Sequence, residues 1–263
     1  MEIITSRTNS KIKNIVSLVN NKKERLQKNL FVIEGFKILK EAINNKIEIE
    51  SILLTEDFWQ ANKYELNLIL TNNMNIVIIT YDICKKISNN VTPQGIFAIC
   101  KIPSLTSLKT VIGNGKNILM IVGLQDVGNF GTIIRTANAL GVDYILTSKD
   151  CPDIYSCKVL RSAMGAAFSI PVVVVDDVVK TMEMFKNNGF SLYASAVTDD
   201  CENIKDVVFD KKSVVVVGNE GNGLSSQVIN CCDYTIKIPM VKKANSLNVA
   251  VATGILLWEL KFR

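Results

Sequence analysis

Three loops hold the polar residues best suited to chemistry. "VVVVGNEGNGLS" (214–225) runs from four valines into three glycines around Glu220. "DVGNFGTIIRTANALG" (126–141) carries Asn129 and Arg135, and "IPMVKKANSLNVAVATG" (238–254) carries Ser246 and Asn248. The chain contains no histidine, which removes Ser-His-Asp triads, Cys-His pairs and histidine-based metal helices. Catalysis must then rest on carboxylate, amide, hydroxyl or arginine groups. Seven cysteines, an odd number without a CxxC pair, favour neither a disulfide framework nor a zinc site, so reduced thiols in a cytoplasmic protein without metal are expected.

Neither glycine cluster spells a dinucleotide or phosphate-loop fingerprint, and glycine after a strand also serves plain turns. Asn129 is expected beside a helix start and Arg135 within the first turns, where exposed amides favour an anion. A surface ion pair would also explain Arg135, and a plain N-cap would explain Ser246 or Asn248. Glu220 either takes part in the chemistry or holds its loop as a buried carboxylate.

Around these loops the pattern is α/β throughout. From Ser10 to Lys28 the apolar residues Ile12, Ile15, Val16 and Val19 follow helical spacing among Lys11, Lys13, Lys22, Lys23 and Arg25. This basic amphipathic helix is either an ordinary solvated face or a phosphate-contacting surface. Strands "LFVIEG", "IESILLT", "NIVIIT" and "GIFAICKI" alternate with helices, which predicts a small α/β sandwich. "PSLTSLKTVIGNGKN" marks the boundary. Residues 1–105 would form one domain and 106–263 the other. In the second, apolar strands such as "ILMIVGL", "IPVVVV" and "SVVVV" alternate with helices, the signature of a parallel sheet covered on both faces, with ligands at the carboxyl ends of its strands. The amino-terminal stretch lacks a signal-peptide apolar region, and no apolar run reaches the length of a membrane span.

Together, in this order, "NFGTIIRTANALG", "VVVVGNEGNGLS" and "IPMVKKANSLNVAVA" resemble the three motifs of the SpoU (TrmH-type) RNA 2'-O-ribose methyltransferases of the knotted methyltransferase superfamily. "KVLRSAMGAAFSIPV" is similar to a further family segment, and "ITSRTNSKIK", "FVIEGFKILKEAI" and "TPQGIFAI" look like its ribosomal-protein-like RNA-binding domain. The resemblance implies a carboxy-terminal trefoil knot, S-adenosylmethionine held by Gly218, Ile238 and Leu247, and a reaction site of Asn129, Arg135, Glu220, Ser246 and Asn248. It implies a homodimer that methylates a ribose in structured RNA, most of all 23S ribosomal RNA. A transfer RNA ribose or a base as target, or a non-catalytic RNA-binding module, are the alternatives. The five polar residues speak against the last, since a pure binder needs none of them. Because guanidinium is never deprotonated in proteins, Arg135 is read as an electrostatic group and not a general base.

Overall fold

The computed structural model describes residues 2–70, 74–196, 201–241 and 246–262. Two compact units appear: Met1–Ser104 with Asp153–Phe168, and Leu105–Pro152 with Ser169–Arg263. A single boundary near residue 105 therefore does not describe the chain, because sixteen residues from the second half pack in the first unit.

The first unit runs β1 (Glu2–Ile4), α1 (Ser10–Asn20), α2 (Lys22–Lys28), β2 (Leu30–Glu34), α3 (Phe36–Asn44), β3 (Ile49–Thr55), α4 (Glu56–Ile69), β4 (Ile76–Ile79), α5 (Tyr81–Ile87) and β5 (Ile96–Lys101). Its sheet has the order β1-β4-β3-β5-β2, parallel as far as β3 and antiparallel beyond. Alternate strand residues serve opposite faces. Val32 and Leu53 join Ile12, Ile15 and Leu18 in one apolar layer, while Phe31, Ile52 and Leu54 join Leu39 and Leu66 in the other.

The expected single basic helix is two. Asn21 is extended (φ −125°, ψ 113°), ends α1, and accepts from the Lys23 amide at 2.9 Å to begin α2. Arg25 then turns inward, only 5 % exposed. One terminal nitrogen donates to the carbonyls of Leu18 (2.5 Å) and Val19 (3.1 Å) in the last turn of α1, which have no helical partner. Its Nε and other terminal nitrogen reach Asp153 Oδ2 at 2.8 and 2.6 Å. Arg25 is thus a buried brace and not the RNA-facing cation expected from spacing.

The second unit begins with α6 (Leu108–Asn114), inside the stretch expected to be a linker; Ser107 caps it and Val111 enters the core. There follow β6 (Asn117–Ile121), α7 (Val127–Ala139) and β7 (Tyr144–Ser148). The chain then lends Asp153–Phe168, with α8 (Cys157–Ala163), to the first unit. There the Tyr155 ring lies 4.9 Å from Phe31, Leu160 is fully buried, and the Cys157 thiol donates to the Val32 carbonyl at 3.1 Å. Burial pushes that thiol up to about 11, so it keeps the proton it donates.

Back in the second unit come β8 (Val172–Val175), α9 (Val178–Lys186), β9 (Ser191–Ser195), β10 (Glu202–Asn203), β11 (Ser213–Val217), α10 (Ser226–Cys231), β12 (Tyr234–Lys237) and α11 (Val249–Phe262). The sheet order is β10-β12-β9-β11-β6-β7-β8, and every pairing is parallel. All five residues of central β11 are buried, as a strand covered on both faces requires. Sequence order breaks on either side of β11, so the loops after β6, β9, β11 and β12 meet at one end of the sheet. The expected knot rests on threading the segment that leads into α11, and residues 242–245 of that stretch lie outside the described residues. Among the described residues, no helix is long and apolar enough to cross a membrane.

Replacing Arg25 with Ala strands Asp153 and two carbonyls in a buried setting, and should cost about 3–5 kcal/mol. Chemical denaturation of the full-length variant measures it. A loss below ~1 kcal/mol would reduce the brace to a surface contact.

Candidate active site

The end of β9 at Ser195 and Ala196, the loop after β11, Ile238 and Met240 after β12, and the start of α11 line a cleft of about 630 Å³. Its walls include Val217, Ile236, Ile238, Met240 and Leu247, and its rim carries Gly218, Gly221 and Gly223. Leu247 is 38 % exposed, an uncovered apolar side chain facing a cleft of ligand size.

Helix α7 starts earlier than expected, because Asp126 caps it by accepting from the Asn129 amide at 2.6 Å. Asn129 therefore sits in the first turn, at the cleft. Its side-chain nitrogen donates to Glu220 Oε1 at 3.2 Å, and its oxygen accepts from Asn248 Nδ2 at 3.0 Å. Asn248 in turn accepts from the amides of Ala250 (2.9 Å) and Val251 (3.3 Å), capping α11. Glu220 also accepts from the backbone N–H groups of Asp126 (3.2 Å) and Gln125 (3.4 Å). A carboxylate that only accepts stands at one end, and helix amides that only donate stand at the other. Between them both asparagines can point only one way.

Glu220 itself is solvent-exposed, which corrects the expectation of a buried carboxylate. What burial there is raises its pKa. Hydrogen bonds from its own amide, Asn129, Gln125 and Asp126 outweigh that and hold the group below its ordinary 4.5.

Gly218 answers to the loop's own closure. A Cβ there would lie 2.5 Å from the Gly223 carbonyl carbon and oxygen and 2.7 Å from the Leu224 nitrogen, all backbone. Across that closure, Asn219 and Gly223 exchange backbone hydrogen bonds at 3.1 and 3.0 Å. The Asn219 side chain accepts from the amides of Gly221 (2.8 Å) and Asn222 (3.1 Å) and donates to the Gly123 carbonyl at 2.8 Å. It ties the β11 loop to the β6 loop. Sequence reading passes over Asn219, because an asparagine among glycines looks like any turn residue; its position directly after a buried strand is the available signal.

Residues 116–258 match the SpoU rRNA Methylase family, and residues 9–98 match the MRM3-like substrate binding domain. The chain belongs to the SpoU family. Over 99 % of its length it is 30 % identical to the 23S rRNA (guanosine(2553)-2'-O)-methyltransferase RlmP of Bacillus subtilis, all of which is covered. In fold it is similar to an AdoMet-bound rRNA methyltransferase from Sinorhizobium meliloti (TM-score 0.84, 24 % identity, 98 % of this chain and 96 % of that one). It is likewise similar to the AdoMet complex of the SpoU methyltransferase AviRb from Streptomyces viridochromogenes (TM-score 0.83, 25 % identity, 95 % and 96 %). The two-unit architecture is that of the SpoU fold, whose members carry a carboxy-terminal trefoil knot. The protein is an S-adenosylmethionine-dependent RNA 2'-O-ribose methyltransferase. Its cleft fits that cofactor: apolar walls suit a nucleoside face and a thioether-like chain, and the side-chain-free glycine rim offers backbone groups.

Of the residues singled out in the SpoU motifs, Asn129, Gly218, Glu220, Ile238, Ser246, Leu247 and Asn248 all line this one cleft. Arg135 does not. It lies six residues beyond Asn129, about 9 Å further along α7 at the usual helical rise, well past the amides of the first turn. Its side chain is exposed and makes no ion pair among the described residues.

Glu220→Gln would set an amide group against N–H donors that need an acceptor. Cofactor affinity or turnover should fall about tenfold or more while the fold persists, read by calorimetry and methyl-transfer assay. Because the folded pKa is lowered, the carboxylate's contribution is complete above pH 4.5 and is lost only as pH falls further, through the depressed value. Cofactor affinity should accordingly show no Glu220 titration between pH 8 and 5. A step in that window, absent from Glu220→Gln, would contradict the anchoring role.

Proposed function

We propose that the enzyme methylates the 2'-hydroxyl of a ribose in 23S ribosomal RNA, working in the cytoplasm as a homodimer. The observation that carries this reading is the Glu220–Asn129–Asn248 chain at the mouth of the cleft, in a chain similar over its whole length to an enzyme named for 23S rRNA. Gly218, Ile238 and Leu247 would hold the cofactor, which supplies the methyl group as an electrophile. The remaining work belongs to this chain's own residues. Asn129 and Asn248, held in one orientation by Glu220, fix the two helix starts that face the ribose, and Ser246 offers a hydroxyl beside them. Glu220 then acts by positioning. A ribose hydroxyl is a weak acid, so the reaction needs alignment and a cation for the developing oxygen charge. Arg135, planar and without an ion pair among the described residues, is assigned to an RNA phosphate beside the target and to that charge.

The first unit would hold the RNA, through exposed Lys13, Lys22 and Lys23, which make no ion pair among the described residues. Lys11 is paired with Glu2 at 2.6 Å and would have to exchange that partner for phosphate. The homodimer reading is supported by α11. Its inner face buries Ala250, Thr253, Leu256, Leu257 and Leu260, yet its outer face exposes Val251, Ile255, Trp258 and Phe262. An apolar stripe at helical spacing with aromatic anchors suits a second copy.

Incubation with labelled cofactor and either 23S or transfer RNA, followed by mass spectrometry of nucleosides, tests the substrate. A 2'-O-methylated nucleoside from 23S RNA is expected; methyl groups on a base, or on transfer RNA alone, would overturn the reading. Arg135→Ala should lower turnover on the order of a hundredfold at saturating cofactor, with cofactor affinity unchanged. Near-normal turnover would remove Arg135 from the reaction. Trp258→Glu should give a monomer in sedimentation analysis, and a persistent dimer would place the interface elsewhere.

A further inference from the structure

The first unit carries a second group of cations, away from α1 and α2. Tyr81 opens α5, whose start is fixed by Thr80 accepting from the Ile83 amide. The inner face of this helix, Ile83, Cys84 and Ile87, is buried, but Tyr81 is 51 % exposed. Lys85 lies one turn on, its ammonium 4.7 Å from the ring centroid. Lys86 donates to the Arg7 carbonyl at 2.7 Å, which brings the turn before α1 alongside α5. That turn is braced by a 2.9 Å hydrogen bond between the Ser6 and Thr8 hydroxyls and by Asn9, which caps α1. Arg7 and Lys85 are exposed and make no ion pair among the described residues. Asp82, the acid of the first turn of α5, offsets one of the three positive charges.

We propose that this group, Tyr81 with Lys85, Lys86 and Arg7, is a platform on which the enzyme stacks an unpaired base of its RNA substrate while the cations take the flanking phosphates. The assignment rests on the reading of the first unit as the RNA-holding part. An aromatic ring left half exposed among cations matches the chemistry of single-stranded RNA, which presents a π-face and a phosphate at each nucleotide. Lys85 occupies one electron-rich face of the ring as an exposed, exchangeable cation. A base arriving there displaces the ammonium toward its own phosphate. The α1–α2 surface lacks such a ring and spends Arg25, Lys11 and Lys28 on internal partners. A stack on α5 would therefore supply grip that those lysines alone do not.

The test uses the full-length protein and an unpaired RNA oligonucleotide, with fluorescence anisotropy over a range of salt concentrations. Tyr81→Ala should weaken binding about tenfold with little change in salt dependence, and Tyr81→Phe should restore it, since stacking needs the ring and not the hydroxyl. The double variant Arg7→Ala with Lys85→Ala should instead flatten the salt dependence, by roughly 0.7 in the log–log slope for each phosphate no longer neutralised. Cofactor affinity should be unchanged in all three, because none of these residues lines the cleft. Wild-type affinity in Tyr81→Ala overturns the platform. So does a loss seen only on protein-containing ribosomal particles, which would make the patch a protein-binding surface. If the wild-type protein binds no RNA, the reading of the first unit fails along with the platform.

Discussion

An acceptor-only group at the meeting point of three loops sets the terms for everything around the cleft. Glu220 cannot donate, so the amides of Gln125 and Asp126 and the side chain of Asn129 must all turn their hydrogens toward it. At the other end the first amides of α11 can only donate, so Asn248 turns its oxygen to them and its nitrogen to Asn129, whose oxygen accepts. The apolar faces of α7 and α11 hold these segments, about a hundred residues apart in sequence, deeper in the unit, while at the cleft their ends are fixed in mutual orientation by hydrogen bonds alone. That suits a site which must stay open to a bulky polyanion: an apolar clamp would cover the residues the substrate has to reach. Asn219 adds a second tie through the Gly123 carbonyl, so the β11 loop is held to the β6 loop at two points.

What the sequence makes legible follows from local physics. Runs such as Val214–Val217 are buried on both faces of a strand wherever the neighbours lie, so the parallel sheet and its ligand-bearing end can be read directly. The loops can be read as chemistry because glycine, carboxylate and amide in one short stretch have few other uses. The misreadings come from partners distant along the chain. Nothing near Arg25 shows that Asp153 waits for it, and helical spacing alone counts it with the lysines. "DVGNFG" looks like a loop because of its glycines, yet the Asp126 cap and the buried Phe130 carry α7 back through it. The stretch before β6 looks polar enough to be irregular, but Ser107 and Val111 give α6 a cap and a buried anchor. Glycines around Glu220 suggest a buried carboxylate, but glycines are also what leaves a loop uncovered.

The route of the chain between β7 and β8 bears on how substrate grip and chemistry can be linked. A crossover in a parallel sheet normally packs back on its own sheet. Here the connection leaves at Pro152, contributes Asp153, Tyr155, Cys157 and Leu160 to the core of the first unit, and returns at Ser169. Immediately before it leaves, the chain is tied to the reaction loops: the Ser148 hydroxyl accepts from the Gly123 amide at 2.9 Å, and the Asp150 carbonyl accepts from the Gln125 side chain at 3.1 Å. Gln125 is also one of the backbone donors to Glu220. From the Arg25 brace to the Glu220 carboxylate there is thus an unbroken run of covalent and hydrogen bonds: Asp153, Asp150, Gln125, Glu220. Such a run couples two sites only if some part of it has two arrangements of similar energy. Arg25 and Asp153 are too deeply buried to offer one, since separating them strands a charge. The long, exposed hydrogen bond from the Gln125 amide to Glu220, at 3.4 Å, can exchange for water at less cost than the others. Along this path the Arg25–Asp153 pair is therefore the fixed end, and the exposed hydrogen bonds at Gln125 and Glu220 are the end that can rearrange.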